Sequence, residues 1–286
     1  MPIKSILIHL DDSEACDGRL KIAAVLAQRF GSLLKGLYIE PPPPQTSSLK
    51  LQSPETADMP QEPEALPISK YYITEEKSRI QARLEHHIRT LKPLPPWESS
   101  SGPLSQALAQ NSCYHDLIIL SRTVTQGNLL DDMFLAAANT AVNSACAVLM
   151  LPDDYTATEP CSHPLIAHDG SREAARALRD SLPFLQTAGQ IDVFSGKTTT
   201  ATAEFRQRAD SGLLNYLRLH DVEPTLIREQ RAGPDISEVL LTHAKERQND
   251  LIVMGAYGRS RLAELVMGGA TRNILKNAPV PVLLSH

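Results

Sequence analysis

Short runs rich in apolar residues recur along the chain, each followed by a stretch with apolar residues every three or four positions. The first run covers residues 3–10, and the next stretch, residues 15–30, places Leu20, Ile22, Ala23, Val25 and Leu26 on one helical face. Asp11, Asp12, Ser13 and Glu14 separate the two as a helix cap, and Gly31 is placed to stop the helix. The same reading predicts strands at 32–40, 93–99, 116–121 and 147–151, and helices at 69–91, 102–110 and 133–143. Beyond a polar linker at 152–162 the alternation restarts. Strands are expected at 163–168, 190–195, 223–229, 251–254 and 281–285, with helices from 171 to 185, at 203–220, at 234–247 and from Thr271 onward. The unbroken apolar cores at 117–120, 147–151 and 251–254 indicate strands buried on both faces. That implies a parallel sheet covered by helices, an α/β fold.

The restart is an internal repeat. Asp11-x-Ser13 matches Asp169-x-Ser171, 158 positions later, and the run from Asp116 to Met150 matches that from Asp250 to Leu284, 134 positions later, without a gap. The first copy therefore holds extra residues, and the proline-dotted polar stretch 41–67 is the place for them. A chain of 286 residues is comfortable for two domains, divided as 1–155 and 156–286.

The densest chemistry lies where the strand at 251–254 ends. Gly255, Gly258, Gly268 and Gly269 follow it, leading into a helix that begins near Thr271. Glycines let backbone N–H groups approach an anion, and a helix start adds unpaired donors and a favourable dipole. The spacing Gly255-x2-Gly258-x9-Gly268 resembles the nucleotide-binding signature of universal stress proteins of the ATP-binding type. That signature continues with Ser or Thr, whereas this chain has Gly269, so one phosphate-holding hydroxyl is missing and Thr271 is its nearest substitute. The competing reading is a glycine-rich turn that only shapes a strand–helix junction.

The resemblance covers nearly the whole chain as a tandem universal stress protein. It implies two Rossmann-like, open, parallel five-stranded sheets of order 3-2-1-4-5, with ligand held where the order reverses, between strands 1 and 4. It implies a site made of Asp169, Gly255, Gly258, Arg259, Gly268, Gly269, Ala270 and Thr271, with Asp169 on the adenosine portion, and a weaker contribution from Gly233 and Pro234. The cofactor expected is ATP or ADP, with AMP and an accompanying magnesium ion left open. In the first half the matching loop positions are Ser121, Val124, Phe134 and Leu135, with Asp131 and Asp132 beside them, and the motif is lost. Single-domain members pair through their last strand. The strands at 147–151 and 281–285 are therefore expected to pair within this chain about a pseudo-two-fold axis, with a homodimer optional.

Composition excludes more than it identifies. A net charge of −5 and a pI near 6.0 give no general attraction to nucleic acid or an anionic membrane, and no run is long enough to span one. Four cysteines without C-x2-C spacing read as thiols of a reducing compartment, and the cytoplasm is expected. Gly196-Lys197-Thr198 lacks the glycine a Walker loop needs at position 191, and Asp11-Asp12 lacks the partners of a phosphoacceptor site. The histidines show no metal-ligand spacing. No base is placed for phosphoryl transfer, so a binder with at most slow ATP hydrolysis is expected. The alternatives are a stress or interaction protein with an empty loop, and a carrier of a small apolar ligand beneath the 41–67 insertion.

Overall fold

Ten strands lie side by side in one sheet. In the computed structural model, which describes residues 2–41, 68–89, 91, 94–122, 135–156, 161–195, 202–228, 235–256 and 269–286, the strands are β1 (Ser5–Leu10), β2 (Leu33–Glu40), β3 (Trp97–Ser101), β4 (Leu117–Ser121), β5 (Ala147–Leu151), β6 (Pro164–His168), β7 (Asp192–Ser195), β8 (Thr225–Arg228), β9 (Leu251–Gly255) and β10 (Val282–Ser285). Eight helices cover them among the described residues: α1 (Ala15–Phe30), α2 (Ile68–Ile88), α3 (Leu104–Asn111), α4 (Leu135–Asn143), α5 (Arg172–Leu185), α6 (Ala203–Arg218), α7 (Ile236–Glu246) and α8 (Gly269–Asn277). None is long and apolar enough to cross a membrane among the described residues.

The sheet order is β3-β2-β1-β4-β5-β10-β9-β6-β7-β8. Each half thus has the order 3-2-1-4-5 with all its strands parallel. The two expected sheets are joined into one by the strands expected to meet. β10 pairs antiparallel with β5 through Val282↔Met150, Leu283↔Leu149 and Leu284↔Val148, the direction a pseudo-two-fold axis requires. All ladder positions of β5 and β10 are buried, so each half covers the other's edge. Beyond the strands, Phe30 meets Phe184 edge to face at 5.2 Å, Arg29 donates to Thr187, and Arg122 donates to the Ala278 carbonyl.

Helices divide between the faces. Leu20, Ile80, Leu182 and Leu213, from α1, α2, α5 and α6, pack on one side. Ala107, Ala138, Leu240 and Ile274, from α3, α4, α7 and α8, pack on the other. Gly31 ends α1 in the left-handed conformation at φ 64°, where a side chain is disfavoured.

The repeat is visible in the hydrogen bonds. Asp116 Oδ2 accepts from Lys4 N and Ser5 N at 2.7 and 3.0 Å. Its counterpart Asp250 accepts from Ser162 N at 2.6 Å and His163 N at 2.9 Å, residues 158 positions beyond Lys4 and Ser5. The acidic residue before strand 4 is thus a backbone acceptor that aligns it with the start of strand 1. A backbone N–H that starts a ladder has no strand partner of its own and needs such an acceptor.

Candidate functional site

In each half strands 1 and 4 are neighbours, and the chain leaves them in opposite directions. The crevice at their carboxyl ends is where an open α/β sheet takes a ligand. In the second half those strands are β6 and β9, so Asp169 and Gly255 close the two sides of one crevice. Asp169 Oδ1 accepts from Ser171 N at 2.9 Å, and Ser171 Oγ accepts from Ala174 N at 3.1 Å as the N-cap of α5. Two residues just beyond the carboxyl end of β6 thereby set the start of the helix.

Gly255 has a packing requirement of its own. A Cβ there would lie 2.7 Å from Ala174 N and from the Glu173 carbonyl carbon, so the first turn of α5 rests directly on the glycine. Gly269 is different, since a Cβ there meets no atom of the described residues within 4 Å. It opens α8, whose N-terminus the β9–α8–β10 connection brings to the carboxyl ends of the strands. Thr271 is buried, Ala270 is half-buried, and Asn273 Nδ2 donates to Ser237 Oγ at 2.6 Å, which fastens α8 to α7.

Asp169, Gly255, Gly269, Ala270 and Thr271 are therefore gathered at one end of the sheet. Gly258, Arg259 and Gly268 lie outside the described residues, as do Gly233, Pro234 and residues 196–198. Three nearby groups escaped the sequence reading. Glu173 is buried against Gly255; burial opposes its ionisation, but Arg172, with Nε at 2.6 Å, outweighs it and holds the carboxyl below the usual range. The His286 Nδ1 is 2.8 Å from the Ala256 carbonyl. Ser195 Oγ donates to Asp210 at 2.7 Å, and Arg228 Nε binds the same carboxylate at 3.0 Å. No group of three or more His, Cys, Asp or Glu able to hold a metal occurs among the described residues.

The matching crevice of the first half is filled. Arg19, on α1, is 0% exposed. Its Nη2 lies 2.7 Å from Asp11 Oδ1, its Nε donates to the His9 carbonyl at 2.9 Å, and its Nη1 donates to Ser121 Oγ at 2.6 Å. Arg19 thus ties strand 1 to strand 4 across the place where a ligand would sit. Position by position, Asp11 corresponds to Asp169, Arg19 to Ala177 and Ser121 to Gly255. The loop residues expected to block this half, Val124, Asp131, Asp132 and Phe134, lie outside the described residues, as does the side chain of Leu135. The plug that is seen comes from α1 instead. Asp12, next to Asp11, is held by Arg79 of α2 at 2.7 Å, which closes the half further.

Buried beside the plug is His9, 0% exposed, whose ring nitrogens have no hydrogen-bond partner among the described residues. Burial and the Arg19 charge outweigh the Asp11 carboxylate and lower its pKa from 6.5 to about 4. Between those values the unfolded chain binds a proton that the folded chain refuses. Stability must therefore fall as pH drops through that window. The loss is on the order of 3 kcal/mol by pH 4, and His9→Asn should abolish it. Urea midpoints of both proteins at neutral pH and near the lower limit check this. An equal acid loss in both would show that His9 is not its source.

Comparison with known proteins places these features. Residues 163–286 match the model of the universal stress protein family. A universal stress protein from Archaeoglobus fulgidus DSM 4304 has a similar structure, with a TM-score of 0.69, 15% identity, and 98% of this chain and 95% of that one covered. A functionally unknown protein from Pseudomonas aeruginosa PAO1 is also similar, with a TM-score of 0.58, 15% identity and coverages of 99% and 92%. At this identity the likeness is one of fold. No curated protein matches the chain in sequence.

Proposed function

Since residues 163–286 form a universal stress protein domain, we propose that this half binds one adenine nucleotide, ATP or ADP, at the carboxyl ends of β6 and β9. One contrast carries the reading. Arg19 and Ser121 fill the crevice of the first half, whereas Ala177 and Gly255 stand at those positions in the second. Asp169 is left without the buried cation that holds Asp11, half-buried and placed to accept from a ribose hydroxyl. The Gly255–Gly268 loop and the start of α8 supply backbone donors for phosphate. A magnesium ion accompanying the nucleotide would arrive on its phosphates rather than at a preformed cluster, none being found among the described residues. On this reading 1–155 is a degenerate structural copy, 156–286 is the binding domain, and the protein serves a cytoplasmic stress response.

Titration calorimetry on nucleotide-free protein tests this. One adenine nucleotide per chain is expected, with binding abolished by Gly258→Val. Two equivalent sites would show that the first half also binds, and no binding in folded, empty protein would overturn the reading. Gly269→Ser restores the hydroxyl of the family signature at a position where no described residue stands within 4 Å of the added Cβ, and about tenfold tighter binding is expected from one hydrogen bond to a charged phosphate.

A further inference from the structure

At the amino ends of the strands the two halves differ in the opposite sense. In the second half a fully buried Asp192 is surrounded by its own chain. Arg247 donates to it from Nε and Nη2 at 2.6 and 3.0 Å, Asn249 donates at 3.1 Å, and His163 Nε2 lies at 2.9 Å. Sheet register identifies the counterparts. Leu7 pairs with Lys35 as Leu165 pairs with Asp192, so Lys35 stands where the second half has its carboxylate. By the repeat offsets, Ser5 stands for His163, His115 for Asn249 and Cys113 for Arg247. Two of the polar groups that surround the carboxylate thus have polar counterparts. The carboxylate itself is gone, and a cation has taken its place.

A cavity of about 370 Å³ opens at this point, lined by Leu33, Leu34, Leu91, Leu94, Pro95 and Pro96 together with Ser5, Lys35 and His115. Its size falls at the low end of small-molecule sites, ~300–1,000 Å³. It lies at the opposite end of the strands from the nucleotide crevice. Leu33 and Leu94 are 79% and 40% exposed along it, apolar surface that a ligand would cover.

We propose that this cavity binds a small amphipathic carboxylate. Its headgroup lies among Lys35, Ser5 and His115, where the second half holds its own Asp192, and its tail lies along the leucines and prolines. The competing anions are accounted for. Lys35 pairs with Glu98 at 2.6 Å, but the two side chains are 34% and 45% exposed. Such a pair is worth ~0–1 kcal/mol, so Lys35 is free to turn to a ligand. Asp116 is occupied by the Lys4 and Ser5 N–H groups. His115 Nδ1 lies 2.7 Å from Ser5 Oγ. Burial and the Lys35 charge lower the His115 pKa, which keeps the ring neutral at pH 7. In the tautomer with its proton on Nε2, Nδ1 accepts from the serine and Nε2 can donate to a ligand oxygen.

Octanoate is the probe, and Trp97, the only tryptophan of the chain and neighbour of Pro96, is the reporter. Titration of the full chain should give saturable one-to-one binding at about 10–100 µM, with 1-octanol about tenfold weaker. Lys35→Glu should weaken octanoate about tenfold or more and leave 1-octanol unchanged, while Leu33→Ser, at an exposed position, should weaken both. No saturation below about 1 mM, equal affinity for acid and alcohol, or indifference to Lys35→Glu would overturn the proposal. So would self-association that Leu33→Ser abolishes in protein that does not bind octanoate, since the patch would then belong to a second copy.

Discussion

Arg19→Ala is expected to lower stability by about 3–5 kcal/mol, among the largest effects of any single change in the first half. The guanidinium and its partner Asp11 are 0% and 1% exposed, and removing one leaves the other charged and buried. Burial works against the Asp11 carboxylate, but Arg19, His9 and two hydrogen bonds from Ser13 outweigh it and hold its pKa below the usual range. The double change Arg19→Met and Asp11→Asn removes both charges and should recover more than half of the loss, because an apolar replacement of a buried pair is often neutral. Urea unfolding at constant slope measures both variants. If the single change costs no more than a surface substitution, ~0.5 kcal/mol, Arg19 does not hold the crevice closed. Ala177 occupies the corresponding place in the second half and is itself fully buried, so the same fold tolerates alanine there once the carboxylate is exposed enough to be hydrated.

Val282→Lys should be comparably damaging, on the order of 4–5 kcal/mol. Val282 is 0% exposed between Ile252 of β9 and Met150 of β5, so an ammonium there would be buried in an apolar ladder. The expected signature is a melting curve that separates into two transitions, because the antiparallel ladder is the main link between the halves. Leu33→Lys, at a strand position that is 79% exposed, is the control and should stay within ~0.5 kcal/mol. A single unshifted transition in Val282→Lys would mean that the ladder is not what joins them.

Much of this architecture is legible in the residues, for reasons that also explain the gaps. Buried parallel strands select for apolar residues, so β1, β4, β5 and β9 lie within two residues of their expected bounds. β3 was expected at 93–99 and is found at Trp97–Ser101. Its residues are mostly exposed and it has one neighbour, so little selects for an apolar pattern. α8 starts at Gly269, two residues before the expected Thr271, because Gly268 and Gly269 read as a turn although the second already belongs to the helix. The strand order came from family likeness, since periodicity carries no information on which strands touch. The repeat offset found Asp116 and Asp250 but not their shared role as backbone acceptors, which appears only when strands 1 and 4 lie side by side. Arg19 was invisible for a related reason. On the helical pattern it is one polar residue next to Leu20, and only its contacts with His9, Asp11 and Ser121, from 8 to 102 positions away, reveal it as a plug.

The position of β10 has a consequence in time. It is the most C-terminal strand, yet it lies in the middle of the sheet and supplies the partner of β5. Domains generally fold as they are synthesised, at ~5–20 residues per second. The chain between Leu151 and Val282 therefore takes on the order of ten seconds to appear, during which the first half has an apolar strand with a row of open backbone groups. The pseudo-two-fold axis relates β5 and β10, so the β5 edge of a neighbouring nascent chain offers a strand of the same kind as the one still to come. Chains translated close together on one messenger are thus exposed to a mispairing that completed molecules no longer offer, and slower ribosomes over the second half would lengthen that exposure.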